Sequence, residues 1–438
     1  MNLLQALRIP PQAAHTLALA GAGGKTTALF QLARQTPAAL AASSTHFGAW
    51  QSALADRHVI ANEIEDVRAA AGRGVTLVTG GVDSERIKPV SAAMLDELRR
   101  LSVERQIPLL IEADGSRQKP LKAPAAHEPP IPEFSDSVLY VMGLSALGAP
   151  LNEERVQRAE IFAALSGLTM GERISPQAMM RAAAHPQGGL KNIPAQARKI
   201  ALLNQADTPQ LESIGGKMAQ TLLGAFDAVL VAALERNRLC AIERCAGVVL
   251  AAGQSKRFGE SKALLNWRGK PFIRQIVETA LRARLEPVMV VAGKDAARIE
   301  SALAGLPAQV IYNPRYELGQ SESIKAGVAA LPRHIGGAVF LLADQPHIPA
   351  EVILALQDVH ARELPAIVAP LVQEERRANP VLFDRATFED LSALQGDVGG
   401  RALFSKYRVS YLPWNDEALL LDVDVPADYE RLKAHYNI

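Results

Sequence analysis

Only two cysteines, Cys240 and Cys245, occur among 438 residues. They have no second pair or nearby histidine to complete a four-ligand metal site, and two thiols build no disulfide framework; a reducing compartment fits. No apolar run reaches the roughly 18 residues of a membrane span. The opening MNLLQALRIPPQ shows no charged start leading into an apolar stretch. A cytoplasmic protein with no membrane partner is therefore expected. An excess of charge is missing too: 47 basic against 46 acidic residues leave a formal net charge of +1. No global field draws such a chain to nucleic acid, so any phosphate-binding site must be local. Short repeats and low-complexity tracts are also lacking, which sets aside solenoid and linker architectures.

What is present reads as two domains, since at roughly 150 residues per domain one core rarely serves such a length. Short apolar runs alternate with longer helix-like stretches: HTLALAG, VTLVTG, IPLLIEAD, VLYVMG, KIALLN and DAVLVAAL, then EPVMVVAG, AQVIYN, GAVFLLAD and AIVAP. That rhythm predicts α/β folding with parallel strands and crossover helices. Between the two series lies ERNRLCAIERC, charged and weakly patterned, which puts the boundary near residues 235 to 245. The expected organisation is a P-loop-type parallel α/β domain over residues 1–240 and a Rossmann-like α/β domain over residues 246–438.

In the second half, the strand AGVVLAAG opens into a loop carrying glycines, hydroxyl and amide side chains, and cations. Small residues at Leu250-Ala251-Ala252-Gly253 let backbone N–H groups approach phosphate, with Ser255 beside them. Arg257 and Lys262 are placed to offset charge growing on departing pyrophosphate. The plainer alternative is a basic loop after a buried strand. LLADQP ends an apolar strand with Asp344, at the strand-end edge where α/β sheets bind ligands, and magnesium coordination is the functional reading.

The spacing LAAGxSxRFGxxK resembles the signature of the molybdenum cofactor nucleotidyltransferases, and the resemblance spans nearly all of residues 246–438. It implies that Ser321 and Ser323 of GQSESIKAG lie near the nucleotide, serine at a helix start being the structural alternative. It also implies a second acidic element in LDVDVPAD, where Asp424 is the chosen magnesium partner and Asp422 or Asp428 the alternatives. Asn379 and Pro380 of RANPVLF and Asp397 and Arg401 of GDVGGR are implied on the acceptor side. There Arg401 is a candidate for the terminal phosphate of molybdopterin, and Asp397 for holding that arginine or the acceptor. Members that transfer guanylyl groups usually carry glycine where this chain has Ala252 and Glu260, so the resemblance implies CTP and Mo-molybdopterin as substrates.

In the first half, LALAGAGGKTT fails the strict eight-residue P-loop, because position 19 is leucine, but a shortened form fits Gly21, Gly23, Gly24, Lys25, Thr26 and Thr27. Lys25 suits outer phosphates and Thr26 a magnesium ion, with ATP or GTP as the expected nucleotide; a simple strand-to-helix turn is the rival. IPLLIEAD ends in Glu112 and Asp114, side chains on the same strand face, one of which is a candidate magnesium ligand. In the following proline-broken segment Lys119, Lys122, His127 and Glu128 suit either a loop over the nucleotide or solvated charge. Asn204-Gln-Ala-Asp207 lacks the lysine of the base-reading N-K-x-D motif. The string EADGSRQKPLKAPAAHEPPIP, with VLYVMGLSALGAPLNEERVQR, resembles the YqeC family of accessory proteins for selenium-dependent molybdenum hydroxylases, over roughly residues 10–235. The fusion implies a bifunctional protein with a client molybdenum hydroxylase as partner.

Overall fold

The computed structural model describes residues 1–83, 86–253, 258 and 261–436. The chain forms two compact units, Met1–Ile242 and Glu243–Ile438.

The first unit is built on a nine-stranded sheet. Its strands are β1 (Thr16–Gly21), β2 (Ala38–Ser43), β3 (Arg57–Ile60), β4 (Gly74–Thr79), β5 (Leu109–Glu112), β6 (Ser137–Gly143), β7 (Arg198–Asn204), β8 (Ala228–Ala233) and β9 (Arg238–Glu243), in the order β9-β8-β7-β6-β1-β5-β2-β4-β3. Strands β1 through β8 pair in parallel. Parallel strands covered on both faces must be apolar throughout; β1, β5, β6 and β8 are buried at every position. Strand β1 lies between β5 and β6, with Leu19 opposite Glu112 and Gly21 opposite Val141. The ends of three neighbouring strands thus meet where the glycine loop begins. Helix α1 (Lys25–Arg34) follows that loop directly.

The charged stretch after Leu234, where the sequence suggested a domain boundary, contains β9, Arg238–Glu243, at the sheet edge. An edge strand half open to solvent tolerates charges at its outward positions, which is why its pattern looked weak.

The second unit carries β10 (Cys245–Ala251), β11 (Val288–Ala292), β12 (Ala308–Tyr312), β13 (Gly337–Leu342), β14 (Ile367–Val372), β15 (Val381–Asp384) and β16 (Val409–Trp414), in the order β12-β11-β10-β13-β15-β14-β16. Strands β10 to β13 are mutually parallel, whereas β15 runs antiparallel to both β13 and β14. The sheet is therefore mixed. Alternate side chains of β10 serve opposite cores: Val249 and Ala251 pack with Ile273 and Val277, Ala246 and Val248 with Ile324 and Phe383. Helix α2 (Phe272–Arg282) explains its own docking, since Phe272, Ile273, Ile276, Val277 and Ala280 form one buried stripe. Helices α3 (Gln320–Ala329), α4 (Ala350–Glu363) and α5 (Pro426–His435) also belong to this unit. Among the described residues no helix is long and apolar enough to cross a membrane.

Candidate active site

At the carboxyl ends of β10 and β13 the second unit opens a cavity of about 720 Å³. Leu250, Ala251, Ala252 and Gly253 form one wall; Ser261, Lys262, Ser323, Asp344, Asp397 and Asp424 also line it. Ser255 and Arg257 lie outside the described residues. The Lys262 ammonium donates to Asp424 Oδ1 at 2.6 Å and stands 3.7 Å from Asp344 Oδ2. One cation thus bridges two carboxylates contributed by chain ends far apart in sequence. Burial pushes the Asp344 carboxyl up to about 6; Lys262 pulls against this, and Asp422 and Asp424 add to it. Asp344 Oδ1 is buried with no hydrogen-bond partner among the described residues.

That orphaned oxygen, beside a second carboxylate, fits a hard divalent cation completed by phosphate oxygens and water. The protein supplies only a pair: among the described residues no three His, Cys, Asp or Glu side chains gather as a metal site. The alternatives for the second ligand have other occupations. Asp428 accepts from the N–H groups of Asp424 and Val425, both at 3.0 Å, and so caps α5. Asp422 accepts from Gln345 Nε2 at 2.7 Å and turns to the neighbouring cavity.

That neighbouring cavity, about 310 Å³, shares Leu250, Gln320 and Leu342 with the first. Phe340, Val381, Phe383 and Leu391 give it an apolar floor; Gln320, Asn379, Arg401 and Asp422 are its polar side chains. Burial raises the Asp422 carboxyl, Asp424 raises it further, and the Arg401 charge opposes both. Arg401 and Asp422 line this cavity together, and among the described residues no hydrogen bond or ion pair joins Arg401 to Asp397 as one sequence expectation had it. Asp397 Oδ1 instead accepts from Gln320 N at 3.1 Å, where α3 begins. Pro380 is buried and is not among the residues lining either cavity.

The two serines part company. Ser323 lines the main cavity and its Oγ accepts from Asn313 Nδ2 at 3.2 Å. Ser321 is fully buried and donates to Gly396 O at 2.6 Å, so it ties α3 to the Gly396–Asp397 turn and lies off the cavity. Gly319 makes that approach possible: its φ is +113°, and a Cβ there would stand 2.7 Å from Asp397 Cα. Residues unassigned from sequence are Gln320, which lines both cavities, and Gln345, which fixes Asp422. The motif LLADQP contained Gln345 but nothing local revealed its distant partner.

In the first unit, Gly21, Gly23 and Gly24 take φ of +94°, +86° and +129°, and added Cβ atoms would strike Val141 O, Gly143 N and Asn204 Nδ2. Asn204 Nδ2 donates to Gly23 O at 2.8 Å, a structural use for the Asn-Gln-Ala-Asp segment. No side chain caps the start of α1, where Thr27 lies half-buried in the first turn. Free N–H groups at a helix start suit an anion. Thr26 Oγ1 donates to Glu112 Oε2 at 3.0 Å and accepts from Gln51 Nε2 at 2.8 Å. Complete burial raises the Glu112 carboxyl, with Lys25 and the Thr26 bond opposing. Asp114 does something different: it stands 3.3 Å from Lys25 Nζ and 2.9 Å from Lys122 Nζ. Of the two strand-end carboxylates, Glu112 is the one beside Thr26.

Strand order, a small-residue loop, and a lysine between two aspartates over a cleft make the second unit an α/β nucleotidyltransferase in build. The model for the MobA-like NTP transferase domain matches residues 247–411, and that for the YqeC protein matches residues 17–160. The chain belongs to the MobA-like NTP transferases through its second unit and carries a YqeC-type region in its first. Purine catabolism protein PucB of Bacillus subtilis (strain 168) is 30% identical over 204 residues, covering 43% of this chain and 95% of PucB. The Escherichia coli (strain K12) protein YqeC is 44% identical over 97 residues, 22% of this chain and only 38% of that protein's length. A Bacillus mycoides (strain KBAB4) protein described as "Probable molybdenum cofactor guanylyltransferase" is 27% identical over 155 residues, 35% of this chain and 74% of its own.

Proposed function

We propose that the second unit, residues 246–438, transfers a cytidylyl group from CTP to the phosphate of Mo-molybdopterin, releasing pyrophosphate. The observation that carries this reading is the convergence of Lys262, Asp344 and Asp424 on one cavity, with a second cavity bearing Arg401 alongside. An acceptor phosphate oxygen attacks the α-phosphorus in line, the bond to the bridging β-oxygen breaks, and its electron pair leaves with pyrophosphate. Lys262 turns from the carboxylates to the departing phosphates and offsets their charge. Asn379 and Arg401 hold the acceptor, the guanidinium gripping its phosphate, while Asp397 fixes the start of α3 at the boundary of the two cavities. Backbone N–H groups from Ala251 to Gly253 cradle the triphosphate. Mg²⁺ held by Asp344 and Asp424 supplies charge neutralisation on the triphosphate.

For the first unit, residues 1–240, we propose ATP or GTP binding at the glycine loop, with Lys25 on the outer phosphates and Thr26 and Glu112 on the magnesium side. Its role is accessory, in loading cofactor into a client molybdenum hydroxylase in the cytoplasm. The name of the PucB relative makes purine catabolism a setting for that client.

Guanylyl transfer is the second reading, favoured by the description of the Bacillus mycoides relative; Ala252 on the cavity wall supports CTP. A competition assay separates them: the chain with Mg²⁺, Mo-molybdopterin and equal CTP and GTP, the product identified by mass. Cytosine dinucleotide is the expected product. Guanine dinucleotide would establish the second reading, and no dinucleotide would overturn both.

A further inference from the structure

Beneath the glycine loop of the first unit, five charges alternate in one row, four of them buried and the last, Arg158, 27% exposed. Lys25 stands 3.3 Å from Asp114 Oδ1; Lys122 lies 2.9 Å from Asp114 Oδ2 and 2.9 Å from Glu128 Oε2. Arg158 then grips Glu128 with two bonds of 2.8 and 2.9 Å. Side-chain exposure is 2% for Lys25 and Asp114, 1% for Lys122 and 10% for Glu128. The row has a cation at each end, hence one positive charge in excess, and the Lys25 end adjoins the loop.

Local structure explains why the row holds. Leu121–Lys122 pairs with Val156–Gln157, which brings Lys122 beside Arg158. Pro120 O accepts from Gly143 N at 2.9 Å, and a Cβ on Gly23 would meet Pro120 O at 2.8 Å, so this segment runs against the glycine loop itself. Lys122 also donates to Gly115 O at 2.8 Å. Lys25 is held more loosely by the carboxylate: its hydrogen bond goes to Gly21 O at 2.6 Å, while Asp114 Oδ1 has no hydrogen bond among the described residues.

A buried carboxylate with one cation cannot release it without being left unpaired, which is strongly unfavourable. Asp114 has two cations and the Gly21 N–H, 3.2 Å from Oδ2. We propose that Lys122 is a positioning residue that acts through Asp114: it remains as the counter-ion when Lys25 swings from Gly21 O and Asp114 to an incoming polyphosphate. Glu128 and Arg158 keep Lys122 in place during that exchange. The inference rests on the reading of the first unit as a nucleotide site, and it identifies the ligand end that matters as the β- and γ-phosphates.

The test is binding of ATP, ADP and AMP, and of the guanine series, to the full chain with Mg²⁺ by calorimetry. In the wild type, affinity should climb with phosphate number. Lys122→Met should lower ATP affinity by about tenfold or more and leave AMP affinity unchanged, flattening the climb. Adding Asp114→Asn to Lys122→Met should restore much of the ATP preference, since a neutral amide no longer retains Lys25. A merely structural lysine would weaken all three nucleotides together and would not be rescued in this pattern. Should Lys122→Met fail to fold, the charge-balanced Lys122→Met/Glu128→Gln pair should give the same flattened climb. An ATP-to-AMP ratio like the wild type's in a folded Lys122→Met or Lys122→Met/Glu128→Gln chain, or no rescue by Asp114→Asn, overturns the inference alone. A wild type that binds none of the six nucleotides overturns the reading of the first unit and the inference with it.

Discussion

Asp344 carries a charge that the folded chain resists. Its carboxyl titrates near 6, above its ordinary value of 3.8, so the folded state binds its proton more tightly than the unfolded one. Stability is then lost as pH rises from about 4 through 6, and by pH 8 the ligand-free protein bears the whole penalty, roughly 1–3 kcal/mol. Asp344→Asn should therefore raise Tm of the ligand-free chain at pH 8 by a few degrees while reducing transfer by at least about 100-fold; a lower Tm would contradict the burial argument. Stability is lost in the same direction at His360, whose Nε2 lies 2.7 Å from buried Asp384 Oδ2, but there the charged form is the favoured one. Burial, the largest single influence, pulls its pKa down, yet Asp384 and Cys245 together outweigh this and hold it up at about 9. That stabilisation is complete below about pH 6.5 and disappears as pH rises through 9. The Tm deficit of Asp384→Asn, measured from pH 6 to 10, should accordingly shrink toward the alkaline end.

At the scale of elements, strand ends are where this sequence is most readable. LALAGAGGKTT and VVLAAG each join an apolar run to a glycine turn, so local order alone reveals both loops. Asp344 is legible for the same reason, sitting two residues past a buried strand. The pairing of Lys262 with Asp424 spans 162 positions and leaves no local trace. The same is true of Gln345 with Asp422, and of Lys122 with Arg158 through Glu128. Ser321 misled because a hydroxyl at a helix start suits a ligand or a neighbouring loop equally well, and here Gly396 O takes it. The weakly patterned β9 and antiparallel β15 escaped the reading because neither lies between crossover helices. Gly319, at the start of α3, supplies an element-level test. Gly319→Ala adds a Cβ 2.7 Å from Asp397 Cα at a φ of +113°, so the Gly396–Asp397 turn must move. Transfer should fall by about tenfold or more, mainly through a higher KM for acceptor; unchanged kinetics would show that this turn does not shape the acceptor cavity.

For the molecule as a whole, two compact units carry two separate constellations. Lys25→Ala should abolish nucleotide binding by the first unit and leave transfer by the second within about twofold. Lost transfer would instead reveal energetic coupling between the units. The proposal that Asp344, Asp424 and Lys262 form a nucleotidyl-transfer centre meets its most direct test in pyrophosphate release. The purified chain is given Mg²⁺, Mo-molybdopterin and each of the four ribonucleoside triphosphates in turn, with acceptor-free and Asp344→Ala controls. Acceptor-dependent release with CTP, lost in Asp344→Ala, is the expected result; release with no nucleotide, or release that persists without Asp344, would contradict it.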